Sequence, residues 1–211
     1  MVESKSHPRQ VWLTADWHLG DDRFTQLCRP FCDPSQMFRV IRDQHNARVG
    51  QEDLVIVAGD VCYRLAKRSL HLVDQLKGRK ILLRGNHDRV FTDAQLRPHF
   101  GRIIPEGQGL DLEVANLKLW VTHYPSAGRD DCFNIVGHVH GAWRYQLNAL
   151  NVGVDAHHFC PVALAAVPNH YGAITRYFDD DIWAAYAPSN ARFRSLRGVR
   201  GSYLHRNPPD Q

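Results

Sequence analysis

The chain alternates short apolar, β-branched runs with longer polar stretches whose apolar residues recur at helical spacing. Five runs stand out: residues 11–15 (VWLTA), 54–58 (LVIVA), 80–83 (KILL), 117–122 (LKLWVT) and 133–136 (FNIV). Runs this short, rich in Val, Ile, Leu and aromatics, read as buried strands. Residues 36–49 follow Asp33-Pro34-Ser35 and place Met37, Val40, Ile41 and Ala47 at a rough 3.6 period. That pattern predicts a helix, with Pro34 at its start. Residues 64–76, with Leu65, Leu70, Leu72, Val73 and Leu76 ahead of Gly78, predict a second helix. Strands alternating with helices predict an α/β fold. Beyond about residue 90 the helical pattern fades, and 110–114, 117–121, 133–136 and 144–150 predict a mainly antiparallel β continuation. No repeat at solenoid period is present.

Composition narrows the class. With 211 residues, 44% hydrophobic and 23% charged, the chain has the make-up of a globular protein of one large domain, or one domain and a tail. Collagen-like, disordered and coiled-coil classes are excluded. No stretch approaches the roughly 18 apolar residues of a membrane span, so no membrane partner is expected. The opening MVESKSHPRQ lacks the apolar centre of a signal peptide, which makes cytoplasmic residence the expectation. The net charge of +4 is compatible with an anionic ligand. Five scattered cysteines read as reduced thiols, and Cys28 and Cys32 have no second pair to complete a zinc site. From Arg192 the composition turns basic, with Arg194, Arg197, Arg200 and Arg206 among glycines and aromatics. Residues 1–191 are therefore read as a single domain and 192–211 as an Arg-rich C-terminal extension. That extension is either a solvated tail or a nucleic-acid contact. The oligomeric state is not encoded in any pattern found.

Histidine changes the picture most, with 13 residues against 2 methionines. Each of the five strands runs into metal-ligand chemistry: Asp16-Trp17-His18, Gly59-Asp60, Gly85-Asn86-His87-Asp88, His123, and Gly137-His138-Val139-His140. In α/β sheets, ligands bind beyond the carboxyl ends of strands, so these blocks should meet at one edge. Residues two apart on extended backbone point the same way, so Asp16 with His18, and His138 with His140, can each serve one ion. Imidazole with carboxylate and amide oxygen, and no thiolate, suits Mn²⁺, Fe or Zn²⁺. Seven ligands exceed the needs of one ion and suit two ions sharing a carboxylate. Two divalent ions against Asp16 and Asp60 leave the site positive, as a phosphate requires.

The ordered set Asp-x-His, Gly-Asp, Gly-Asn-His-Asp, a lone His and Gly-His-x-His resembles the calcineurin-like metallophosphoesterase superfamily, and in particular its compact bacterial and phage-type members. Cys28-Arg29-Pro30-Phe31, the stretch Asn151 to Asp155, and Pro161-Val162 extend the likeness to about residues 11–168. The resemblance implies a four-layer α/β/β/α sandwich of two mixed sheets without a cap domain. It implies that Asp16, His18, Asp60 and His140 hold one metal ion and that Asp60, Asn86, His123 and His138 hold the other, with Asp60 bridging. His87 would then lie at the substrate phosphate, stabilising charge or protonating the leaving oxygen, and Asp88 would orient it. One departure is visible: where such members often read His-Phe-Gly-His, this chain reads His18-Leu19-Gly20-Asp21.

The activity so implied is dinuclear metal-dependent hydrolysis of phosphoesters, diesters before monoesters, by in-line attack of a metal-bridging hydroxide. Phosphomonoesters and nucleotide pyrophosphates are the alternative substrates. A non-catalytic protein-binding scaffold of the same fold is the alternative of another class. Arg84, Arg89 and Arg129 flank the ligand blocks and are candidate phosphate contacts, with surface exposure or salt bridging as the competing reading; Arg29 is a candidate for the same role or a buried structural arginine. Asp88 also reads as a turn or cap residue. His157 and His158 read as surface or core histidines, and Asp179, Asp180 and Asp181 as a solvated turn.

Overall fold

The computed structural model of the chain describes residues 9–177. The Arg-rich segment 192–211, the run Asp179, Asp180 and Asp181, and the boundary drawn at residue 191 lie outside the described residues. Two five-stranded mixed sheets form the body. The first contains β1 (Val11–Thr14), β2 (Leu54–Val57), β3 (Arg79–Leu83) and β4 (Arg102–Ile104) in parallel, with β10 (Val162–Ala163) antiparallel on β1. The second runs β5 (Leu110–Val114), β6 (Leu117–Val121), β7 (Phe133–Val136), β9 (Ala149–Asn151), β8 (Tyr145–Gln146).

The antiparallel reading of the second half is corrected here. β5 with β6 and β8 with β9 are antiparallel, but the central pairs β6–β7 and β7–β9 are parallel. Periodicity reports burial and not strand direction, and β7 is buried throughout, as a parallel central strand should be. β4 and β10 have three and two residues, too short to show a period, and the sequence pattern missed them.

Side-chain alternation builds the layers. Leu13 and Ala15, Ile56 and Ala58, and Leu83 from the first sheet meet Leu119, Val121, Phe133, Ile135 and Leu150 from the second, which makes the inter-sheet core. The alternate residues Val55, Val57 and Leu82 face outward, where helical segments cover them with Met37, Ile41, Leu70, Val73 and Leu76. Helix α2 (Pro34–Asn46) starts where expected: Asp33 caps it by accepting the Gln36 amide at 2.7 Å, and Pro34 occupies the first turn. The predicted second helix instead winds as 3₁₀ turns over Arg64–Gln75. Its buried residues Leu70, Val73 and Leu76 recur every three positions, which matches three residues per turn. Helix α1 (Asp22–Leu27), α3 (Asp93–Leu96) and α4 (Val167–Tyr177) were not anticipated. α4 sends Val167 and Ile174 into the inter-sheet core and sets Tyr171 against Phe133 at 5.1 Å. Among the described residues, no further domain interrupts the ligand blocks, and no helix is long and apolar enough to cross a membrane.

His45 closes α2 inside the core, at 1% exposure, edge-on to Trp17. Its Nε2–H donates to the Lys77 carbonyl at 2.9 Å and its Nδ1 has no partner. Burial pushes its pKa down to about 4. The unfolded chain therefore binds the His45 proton first as pH falls. The contribution to stability is complete above about pH 6.5 and is lost down to about pH 4, at up to about 1.4 kcal/mol per pH unit. Urea midpoints in EDTA at pH 7 and pH 5 should show a fall in stability about 2 kcal/mol larger for the natural protein than for His45→Gln. Equal falls would mean that His45 is not held neutral.

Candidate metal centre

The ends of β1, β2, β3, β6 and β7 converge because their loops are zipped together. The Asp16 amide donates to the Gly59 carbonyl at 3.0 Å, His18 to Asp60 at 3.1 Å, and Leu19 to Val61 at 2.9 Å. The approach is close enough that side chains are excluded. A Cβ on Gly85 would lie 2.2 Å from Asp60 Oδ1, and one on Gly59 would lie 2.4 Å from His123 Nδ1. Asp16, His18, Asp60, His138 and His140 have φ of 58°, 49°, 58°, 72° and 48°. Non-glycine residues seldom adopt this left-handed backbone, and their clustering marks functional sites.

These residues form three overlapping groups with ligand atoms within 4.8 Å of one another: Asp16, His18 and His140; His18, Asp60 and His87; Asp60, His123 and His138. Asp60 sits between the outer two. Its Oδ1 accepts the His87 amide at 2.9 Å, while its Oδ2 lies 3.6 Å from His18 Nε2 and 3.4 Å from His123 Nε2. Asn86 Oδ1 lies 3.2 Å from His123 Nε2. His123 Nδ1–H donates to the Ala58 carbonyl at 2.7 Å, and His140 Nδ1–H to Asp155 Oδ2 at 2.9 Å. Each bond fixes a tautomer and turns Nε2 inward, the arrangement usual for metal-binding imidazoles. His18 supplies the test of fit. It is fully buried, yet among the described residues neither ring nitrogen has a hydrogen-bond partner. A buried imidazole without partners is costly, and a cation beside it removes that cost.

The electrostatics point the same way. Burial lifts the Asp16 carboxyl to about 6, although His123 and His140 draw it down. Burial pushes His18 down to about 4, which keeps it neutral and able to ligate. Burial would raise Asp60 too, but the His123 hydrogen bond and the charges of His123 and His18 hold it well below the carboxylate range. His123 is lifted to about 9 by Asp60 against the effect of burial. The acidic and imidazole charges thus hold each other in place.

The other candidates fall outside this inner group. Asp88 is fully buried, and its carboxylate accepts backbone amides from Asp60 at 2.8 Å, Gly85 at 2.9 Å and Val61 at 3.0 Å. Among the described residues these bonds run to the two candidate ligand loops, and none runs to the His87 ring. Arg29, offered as a phosphate contact, is 3% exposed, with its guanidinium paired to Asp155 and to backbone carbonyls. It points into the protein. Arg84 pairs with Asp93 at 2.7 Å, Arg89 with Glu106 at 2.5 Å, and Arg129 with Asp111 at 2.8 Å while lying over Trp120. His157 is the half-buried histidine expected, with Nε2–H donating to the Asn151 carbonyl at 2.7 Å, and His158 is exposed. The five cysteines are free thiols.

Sequence reasoning assigned no role to four contributors. Asp21, in the position that departs from the resemblance, is buried 3.7 Å from His18 Nδ1 and caps α1. Arg23, held by Asp21, lies 3.5 Å over the Tyr63 ring, which itself packs 5.6 Å from the His87 ring. It is the arginine that the fold brings to the His87 side. Asn151 and Asp155 support His140, one through its carbonyl at 2.7 Å and the other through its ring. Their presence in a block already singled out was the available signal.

Comparison with known proteins agrees with this geometry. The family model for calcineurin-like phosphoesterases matches residues 9–184. The uncharacterized protein MJ1445 of Methanocaldococcus jannaschii is 25% identical over 187 residues, 82% of this chain and 98% of that protein. The gene 66 protein of Mycobacterium phage L5 is 29% identical over 81 residues, 37% of this chain and 39% of that protein. A crystal structure of AQ665 from Aquifex aeolicus, a protein of unknown function, superposes with a TM-score of 0.61 at 20% identity, over 77% of this chain and 99% of that one. That likeness concerns the fold alone. The family implies divalent metal ions, and the residues gathered at the strand ends have the chemistry to bind them; the chain belongs to the calcineurin-like phosphoesterase family.

Proposed function

We propose that this chain hydrolyses phosphodiesters at a dinuclear centre of Mn²⁺ or Fe, with Zn²⁺ as the third candidate. The observation that carries the reading is the position of Asp60, whose Oδ2 faces an imidazole from each outer ligand group, at 3.6 and 3.4 Å. In the proposal Asp16, His18, Asp60 and His140 hold one ion and Asp60, Asn86, His123 and His138 the other. When bound, the pair supplies a hydroxide for in-line attack at phosphorus and neutralises the charge that develops there. The protein's own residues do the rest. Asp60 ties the two halves at a set separation, and Asp16 receives the His138 amide on both oxygens, at 2.9 and 3.1 Å. His87 stands at the rim, its ring 4.9 Å from that of His18, and burial lowers its pKa, so it offers a neutral N–H to the phosphoryl or leaving oxygen.

The preference for diesters rests on room. Among the described residues nothing caps the strand ends, and a diester carries substituents on two sides of the phosphorus. Metal-stripped protein should regain activity with Mn²⁺ on bis-p-nitrophenyl phosphate and far less on p-nitrophenyl phosphate. A preference for the monoester would make the protein a phosphatase. Silence on both esters with two ions bound would remove simple phosphoester hydrolysis from the reading.

A further inference from the structure

We propose that Arg29 is a positioning residue that directly assembles one half of the metal centre and not the other. The inference rests on the dinuclear reading above. Arg29 lies below the site at 3% exposure and reaches segments distant in sequence. Nε donates to Asp155 Oδ1 and Nη2 to Asp155 Oδ2, both at 2.8 Å, a two-pronged grip that matches the carboxylate. The same Asp155 Oδ2 accepts the His140 Nδ1–H at 2.9 Å. Arg29 thereby fixes the carboxylate that orients one ligand. It also donates from Nη2 to the Asp16 carbonyl at 2.6 Å and from Nη1 to the Trp17 carbonyl at 2.9 Å. These carbonyls belong to the turn that presents Asp16 and His18, both held in left-handed backbone.

One guanidinium thus touches the supports of Asp16, His18 and His140, the members of one outer ligand group. The other group is linked to this one through the His138 amide on Asp16 and the His18 amide on the Asp60 carbonyl, but it also has braces of its own. His123 is held by the Ala58 carbonyl, and the Asp60 and Gly85 amides are held by Asp88. No bond recorded for Arg29 reaches His123, His138, Asn86 or Asp60. Arg29 therefore bears directly on one ion and reaches the other only through those links, so the two ions should answer to its loss unequally. The role calls for arginine, since a lysine ammonium cannot fork across a carboxylate and reach two carbonyls in one plane.

The test counts ions and needs no substrate. Metal-stripped natural protein, Arg29→Met, Arg29→Lys and Asp155→Asn are titrated with Mn²⁺ alone by calorimetry, and their electron paramagnetic resonance spectra are recorded. The natural protein should take up two ions and show the spectrum of an exchange-coupled pair. Arg29→Met and Asp155→Asn should keep one ion at near-natural affinity, bind the second about 10–100-fold more weakly, and show an isolated Mn²⁺ spectrum. Arg29→Lys should fall between. Near-ultraviolet circular dichroism reports folding; if Arg29→Met does not fold, Asp155→Asn and Arg29→Lys, which keep size or charge, carry the result. Two ions bound with natural affinity in folded variants would overturn the proposal, as would equal weakening of both ions. Natural protein that takes up no Mn²⁺ would overturn the metal centre itself.

Discussion

Asp60→Asn should lower metal-dependent phosphoester hydrolysis by at least about 10²–10³-fold, the scale of losing one preorganised charge-stabilising group, and leave the fold intact. Asparagine matches the carboxylate in shape and can still accept the His87 amide that Asp60 Oδ1 takes at 2.9 Å. What it removes is the negative charge between His18 and His123. The His123 hydrogen bond and the neighbouring imidazole charges hold Asp60 well below the carboxylate range against burial, so it is ionised at neutral pH. Without that charge, the two ions of the proposal would repel each other with less between them. The check is kcat on bis-p-nitrophenyl phosphate after saturation with Mn²⁺, together with metal content. His138→Ala, on the other side of the site, should show a loss of the same order. Full activity in Asp60→Asn would take Asp60 out of the site.

Asp88→Ala should have the largest effect on stability. Among the described residues the Asp88 carboxylate is the only acceptor for the amides of Asp60 and Val61, and it also takes that of Gly85. Alanine leaves three buried N–H groups without partners, at about 1 kcal/mol or more each, so a loss of about 3 kcal/mol is expected. For a domain of this size that corresponds to a fall in Tm of roughly 6–12 °C. Denaturant melts of metal-stripped protein measure it without the contribution of bound ions. A loss below about 1 kcal/mol would mean that water or a shifted loop takes over the amides. The contrast with Asp60→Asn is instructive: one carboxylate faces the proposed ions, while the other is spent on the backbone that presents them.

The blocks that carry chemistry were readable because each is local. A strand, a glycine and a ligand lie within a few residues, as in the run ending Gly59-Asp60 or Gly137-His138. The start of α2 was readable for the same reason, since Asp33, Pro34 and Gln36 make a cap within four positions. The Arg64–Gln75 segment shows where local reading fails: Leu70, Val73 and Leu76 suit a helical face, yet the period of three is that of a 3₁₀ winding. The arginines show a second kind of failure. Arg29, Arg84 and Arg89 stand beside ligand blocks in sequence, but their partners Asp155, Asp93 and Glu106 lie 126, 9 and 17 positions away. Nothing in the sequence announces such pairs, nor that Arg23 reaches the His87 side through Tyr63.

The sequence by itself therefore determined the α/β class, the principal strands and the kinds of ligand offered at their ends, because hydrophobic period and turn chemistry act over a few residues. Tertiary structure decided the parallel pairing inside the second sheet, the left-handed backbone of five candidate ligand residues, and the pairing of Asp88 with loop amides and of Arg29 with Asp155. These depend on which loops meet once two sheets close on a common core. A buried charge then takes the partners that the closure brings within about 3 Å of it.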